Sequence, residues 1–183
     1  MNNKHLFTFA ACAALLAGCG TGMGGMGGMG GGSAAPQAVA RLQPTAGNQV
    51  TGTATFTQRQ GGVHVAGEVR GLKPNSEHGF HVHEKGDCSS RDATSAGGHF
   101  NPGGHPHGMP GHGAHHAGDM PNLKADAAGV ARFDVTLPAL SVASGANAVT
   151  GRGLVVHAGP DDYRSQPAGD SGPRLACAVI TRA

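Results

Sequence analysis

Two kinds of apolar pattern follow one another along the chain. Leu6 to Ala17 is a single apolar run behind a short leader that carries one Lys, Lys4. A bilayer-crossing helix takes about 20 apolar residues, so this shorter run has the layout of a secretory signal peptide. From Ala38 onward the pattern changes to short strand-like runs separated by turn residues. Gln49 to Thr57 and Val63 to Val69 flank Gln58-Arg59-Gln60-Gly61-Gly62, a hairpin signal. Leu72-Lys73-Pro74-Asn75-Ser76 marks a turn before a strand from Gly79 to Glu84. Val130 to Leu137, Leu140 to Val142, Gly153 to Ala158 and Leu175 to Thr181 complete the series. The rhythm predicts an all-β domain, a sandwich or barrel of about eight strands. Two long excursions interrupt it, at about 85–128 and 158–173, and loops of such length in a compact domain are usually functional.

Composition sharpens this picture. The 183 residues include 33 Gly and 11 Pro, near the roughly 25% at which an aperiodic chain begins to look disordered. The glycines are clumped, ten in residues 18–32 and eight in 97–118, so the remainder reads as one loop-rich folded domain over 38–183. Val, Thr, Gly and Pro dominate the middle of the chain and Leu is sparse, which argues against a helical bundle. The 13 Lys+Arg and 11 Asp+Glu give a net charge of +2 with no basic run, so nucleic-acid binding has no support.

The apolar run ends Leu16-Ala17-Gly18-Cys19, which resembles a bacterial lipobox. Residues 1–18 then read as a lipoprotein signal peptide and Cys19 as the lipidated first residue of the mature protein, exported and anchored to a bacterial membrane, facing the periplasm or the cell exterior. Residues 19–37 form a Gly/Met-rich tether with Met23, Met26 and Met29 at a period of three. Such a stretch builds no core and serves as a flexible spacer, or as a thioether array for soft Cu(I). Cys12 leaves with the signal and Cys19 takes lipid, so Cys88 and Cys177 are predicted to pair as a disulfide in an oxidising compartment.

The chemistry concentrates in the first excursion. Nine of the twelve His lie between 78 and 116. His81 and His83, two apart in a strand, point to one face and can reach one metal. His99, His105, His107, His112, His115 and His116 follow, with Asp119 three residues past the last. Neutral imidazoles with one carboxylate suit zinc or copper far better than calcium or magnesium. His78 is read as bonding backbone, and His64 as a residue of a strand surface.

Gly79-Phe80-His81-Val82-His83-Glu84, Ala96-Gly97-Gly98-His99-Phe100-Asn101-Pro102, His116-Ala117-Gly118-Asp119, Gly151-Arg152-Gly153-Leu154-Val155-Val156-His157 and Gly172-Pro173-Arg174-Leu175-Ala176-Cys177 resemble, in order, the motifs of copper/zinc superoxide dismutases, in their bacterial exported form. The resemblance covers about residues 38–183. It implies a Greek-key β-sandwich or flattened barrel, with copper and zinc as cofactors and superoxide as substrate. It makes His81, His83, His99 and His157 copper ligands and His99, His107, His116 and Asp119 zinc ligands, with His99 shared. Asp161 is the implied carboxylate behind His81 and His107, and Arg174 the cation over the copper channel, catalytic together with His99. The implied reaction disproportionates superoxide to oxygen and hydrogen peroxide, protecting the cell envelope. His105, His112, His115 and Met109 are spare in this pattern, and a homodimer stays open.

The alternative is a copper/zinc storage or delivery protein on the same sandwich, motivated by those spare His and the Met tract. Storage requires neither Arg174 nor a shared His99. Gly169-Asp170-Ser171-Gly172-Pro173 resembles the nucleophile motif of trypsin-like proteases, but no Ala-His-Cys segment lies upstream and the chain is too short for two β-barrels.

Overall fold

The computed structural model describes residues 35–183. The signal-peptide reading, Cys19 and the Met tract at 23–29 lie outside the described residues. The chain forms β1 (Gln37–Pro44), β2 (Thr51–Arg59), β3 (Gly62–Arg70), β4 (Glu77–His78), β5 (Phe80–His83), β6 (Leu123–Lys124), β7 (Ala131–Leu137), β8 (Gly153–His157), β9 (Arg174–Val179) and β10 (Thr181–Arg182). The only helical element among the described residues is one 3-10 turn, Thr94–Ala96.

The main sheet runs β5-β8-β9-β1-β2-β3-β7, antiparallel at every pairing, with β10 added to β1. Its first and last strands form no hydrogen-bonded ladder with each other; Phe80 of β5 meets Phe133 of β7 edge-on, ring centroids 5.1 Å apart, and beside them lies the small β4–β6 pair, in which β4 runs into β5 through Gly79. The sheet thus curls on itself as an eight-stranded Greek-key barrel. Alternation sets the inner face: Ala38, Ala40 and Leu42 of β1, Ala54 and Phe56 of β2, and Val63, Val65 and Val69 of β3 are buried in one core with Leu154, Val156 and Ile180. The β2–β3 hairpin closes with Arg59 opposite Gly62, and Gly61, at φ 90°, takes the left-handed position that glycine fills without steric cost.

Two expectations change. β1, Gln37–Pro44, is a full strand where the apolar pattern predicts none. Leu140 to Val142, expected as a strand, makes only one isolated bridge, Ser141 to Ala148. Leu140 and Val142 are buried because they peg a loop onto the core. Their segment bonds back on itself through Ser141 N–H to Asn147 O at 3.0 Å and Val149 N–H to Ser141 O at 2.9 Å, leaving no partner strand to extend.

The functional face follows from β5 and β8, every residue of which is buried. Phe80 and Val82 enter the main core, so His81 and His83 face the opposite side, beneath the two long loops. On that side Val155 packs with Ala93, Ala96 and Cys177 in a second small core that includes the disulfide. Cys88 and Cys177 are bonded, with Cα atoms 5.8 Å apart and a separation of 89 positions in sequence. Closing a loop of that length stabilises the fold by up to about 4.6 kcal/mol in the chain-entropy account.

Candidate metal centre

The free edge of β5 is covered by the first excursion. His81 bridges to Asp119 and His83 to His99 in antiparallel register, and Val82 exchanges backbone bonds with Phe100 and Gly118 at 2.8 and 2.9 Å. Laying this loop against the strand puts the imidazoles of both in one buried layer. Two donor groups result, His81, His83, His99 and His157 in one, and His99, His107, His116 and Asp119 in the other, each with its ligand atoms within 4.8 Å of one another. His99 belongs to both groups.

Hydrogen bonds decide which nitrogen of each ring is free. His83 Nδ1–H donates to Gly97 O at 2.9 Å, and His157 Nδ1–H to Gly172 O at 3.1 Å. Both rings therefore offer Nε2, and these two atoms lie 3.4 Å apart. His81 Nε2–H and His107 Nε2–H donate to the two oxygens of Asp161, at 2.7 and 2.9 Å, so each turns Nδ1 inward. Asp119 Oδ1 lies 2.8, 3.0 and 3.3 Å from Nδ1 of His99, His107 and His116. His81 Nδ1, His99 Nε2 and His116 Nδ1 are buried without a hydrogen-bond partner.

Buried ring nitrogens without partners are costly unless a cation takes their lone pairs. A tetrahedral ion bonded at about 2.0 Å sets its ligands about 3.3 Å apart, close to the spacing around Asp119. His3Asp suits zinc, and four neutral imidazoles suit copper. The residues fit both metals.

Charge divides the layer. Burial pushes His81 down to about 4 despite its bond to Asp161, pushes His157 down to about 3 and holds His83 well below the usual imidazole range. Burial also works against a charged His107, but the Asp119 and Asp161 carboxylates outweigh it and hold that ring at about 9. Burial would raise Asp119 and Asp161; the hydrogen bonds they accept, from His107 first, keep both well below the usual carboxylate range.

Arg174 is fixed by two bonds, Nη1–H to Ala93 O at 2.5 Å and Nη2–H to Gly97 O at 2.6 Å. It lines a cavity of about 480 Å³ together with His83, His99 and His157. Gly97 O thus receives both Arg174 and His83. Gly97 itself sits at φ 74°, where an added Cβ would strike the Glu84 carboxylate.

Two uncharged amides that carry no motif also position the centre. Gln166 brackets the backbone of His107, its Oε1 accepting from His107 N–H at 2.8 Å and its Nε2–H donating to His107 O at 2.9 Å. Asn122 does the same for Asp161, donating Nδ2–H to its carbonyl and accepting its N–H at Oδ1, both at 2.9 Å. His78 donates Nδ1–H to His157 O at 2.8 Å, and His64 lies 2.9 Å from Asp134 on the β3–β7 surface. Ser171 is buried and donates Oγ–H to Ala168 O at 3.0 Å, so the protease-like motif braces a loop.

The chain is similar to known proteins over most of its length. The family model for copper/zinc superoxide dismutase matches residues 50–180. Superoxide dismutase [Cu-Zn] 2 of Aquifex aeolicus is 43% identical over 148 residues, 79% of this chain and 86% of that protein. The superoxide dismutase [Cu-Zn] of Yarrowia lipolytica is 43% identical over 141 residues, 73% of this chain and 90% of that one. Among solved structures, the clock protein EA4 superposes with a TM-score of 0.74 at 40% identity, covering 82% of this chain and 97% of its own. A double mutant of a SOD-like protein from Bacillus subtilis gives 0.71 at 33% identity, with 78% and 96% covered. With its barrel, its paired donor groups and these relatives in agreement, the chain belongs to the copper/zinc superoxide dismutase family.

Proposed function

We propose that in this superoxide dismutase His81, His83, His99 and His157 hold copper, and that His99, His107, His116 and Asp119 hold zinc. The observation that carries the assignment is the set of buried, partnerless nitrogens on His81, His99 and His116. When bound, copper supplies the one-electron exchange with superoxide, while zinc supplies charge and structure without redox chemistry. Asp161 fixes the tautomers of one ring from each group, His81 and His107. His99 Nδ1 faces Asp119, which leaves Nε2 as the atom placed to hold a proton for the peroxide product.

Arg174 supplies a fixed positive charge in the wall of the cavity that a small anion must enter. This favours turnover over the storage or delivery reading, which has no use for a cation repelling metal ions at the mouth. Protein with both buried groups filled should hold one copper and one zinc in them and speed superoxide decay. Arg174→Glu should slow decay more than Arg174→Ala, and raising salt should slow the parent more than the Glu variant. Identical salt slopes in all three would remove Arg174 from the mechanism.

The reading extends to the cell envelope. Leu16-Ala17-Gly18-Cys19 behind an apolar run supports export and lipid anchoring at Cys19, with the enzyme meeting superoxide outside the cytoplasm. Cys19→Ala should move the protein from the membrane fraction to the soluble exported fraction at unchanged specific activity; a parent protein found unlipidated by mass spectrometry contradicts the anchor.

A further inference from the structure

Outside the buried layer, unassigned metal-binding side chains gather on the outer surface of the 101–116 segment. His105, Met109 and His112 are exposed and His115 is half-buried. The segment presents imidazoles on both sides. His107 and His116 face Asp119, while the nearby His105 and His115 line one surface cavity of about 330 Å³, shared with Gly103 and Asn147.

Both outer residues are held in place, His105 by its backbone and His115 by its ring. His105 is anchored through its backbone, its N–H donating to Asn101 Oδ1 at 3.0 Å and its carbonyl accepting from Asn101 Nδ2–H at 2.8 Å. Its ring lies over Gly103, where an added Cβ would come within 2.8 Å of it. His115 Nδ1–H donates to Gly113 O at 3.0 Å, which turns the Nε2 lone pair outward. That is the same arrangement by which His83 and His157 present Nε2 in the buried layer.

We propose that His105 and His115 form an outer site for a divalent copper or zinc ion, completed by water, from which the ion passes to the buried groups. Two neutral imidazoles select borderline divalent metals over calcium or magnesium. An ion held by His115 sits on the residue next to His116, and one held by His105 is two residues from His107. Loading from there is a gain in effective concentration and needs no added affinity at the inner groups.

The test counts metal on protein whose buried groups are already filled, so failure of the inner assignment shows as a wrong baseline and failure of the outer site as a missing increment. Loaded protein is dialysed against Zn(II) and, separately, Cu(II). One further equivalent is expected, with a Cu(II) electron paramagnetic resonance signal distinct from that of the inner ion. His105→Ser and His115→Ser should each weaken it and the double variant should lose it, while His64→Ser, which alters a surface ring already paired with Asp134, should keep it. Metal-free double variant should also refill more slowly at limiting Cu(II), read from growth of the inner copper's visible absorption. Absence of the further equivalent, or its survival in the double variant, overturns the outer site; equal refilling rates overturn its part in loading.

Discussion

His81, His83 and His157 stand on strands of the barrel, whereas His107, His116 and Asp119 stand on a loop. The strand group inherits its geometry from the β5–β8 ladder, in which Phe80 to His83 pairs residue by residue with Val156 to Gly153. The loop group has little backbone of its own to rely on. Between Asn101 and Asp119 its bonds converge on side chains: Asp119 accepts from Gly108 N–H and His116 N–H at 3.1 and 2.8 Å, and Gln166 grips His107. Charge follows the same division, since the strand imidazoles are driven neutral by burial while two carboxylates keep His107 protonated. One half of the centre is built before metal arrives, and the other is built around a positive charge.

This contrast is sharpest when each half is broken separately. His83→Ala should remove copper and nearly all turnover, because it deletes a donor that the ladder holds in place, yet cost less stability than the loop change. Asp119→Ala should release zinc and loosen 101–119 with partial activity left. It should cost the metal-free domain about 3 kcal/mol, as two backbone N–H groups lose a charged acceptor. Metal analysis, superoxide decay and urea unfolding on the same samples separate the two; an Asp119→Ala protein that binds zinc like the parent would show the loop ligands to be misassigned.

A smaller change sharpens the comparison further. Gln166→Ala leaves every donor intact but frees His107 from its bracket. It should cost about 1–2 kcal/mol, the worth of two hydrogen bonds, and weaken zinc about tenfold, as loss of a supporting bond to a ligand does. Copper affinity should stay within error, since the hydrogen bonds of Gln166 go to the backbone of His107 and Arg164 and to no strand imidazole. Competition with a coloured chelator for each metal is the measurement, and equal weakening of both would mean that the halves are not separable.

The sequence was most readable where side chains carry strong signals. β2, β3, β7, β8 and β9 appear as apolar, β-branched runs bounded by turns. β1 is not legible because its inward positions include Ala38 and Ala40, which bury fully but weigh little as apolar residues. Leu140 to Val142 looked like a strand because apolar pegs under a loop and apolar residues of a short strand have the same composition. The donor sets were legible through ordered motifs, and spacing alone could not have chosen His107 over His105. Gln166 and Asn122 gave no signal, being uncharged amides whose partners lie 59 and 39 residues away.

The central claim, that strands hold one half of the centre and the bound ion holds the other, is tested most directly by amide hydrogen exchange on metal-free and metal-loaded protein. The account predicts that His81, His83 and Gly153 to His157, the β5–β8 ladder, keep their protection when the metals are removed, while 101–119 exchanges far faster, together with Val82, whose N–H bonds to Gly118 O of the loop. Equal loss of protection in both segments, or none in either, would contradict it.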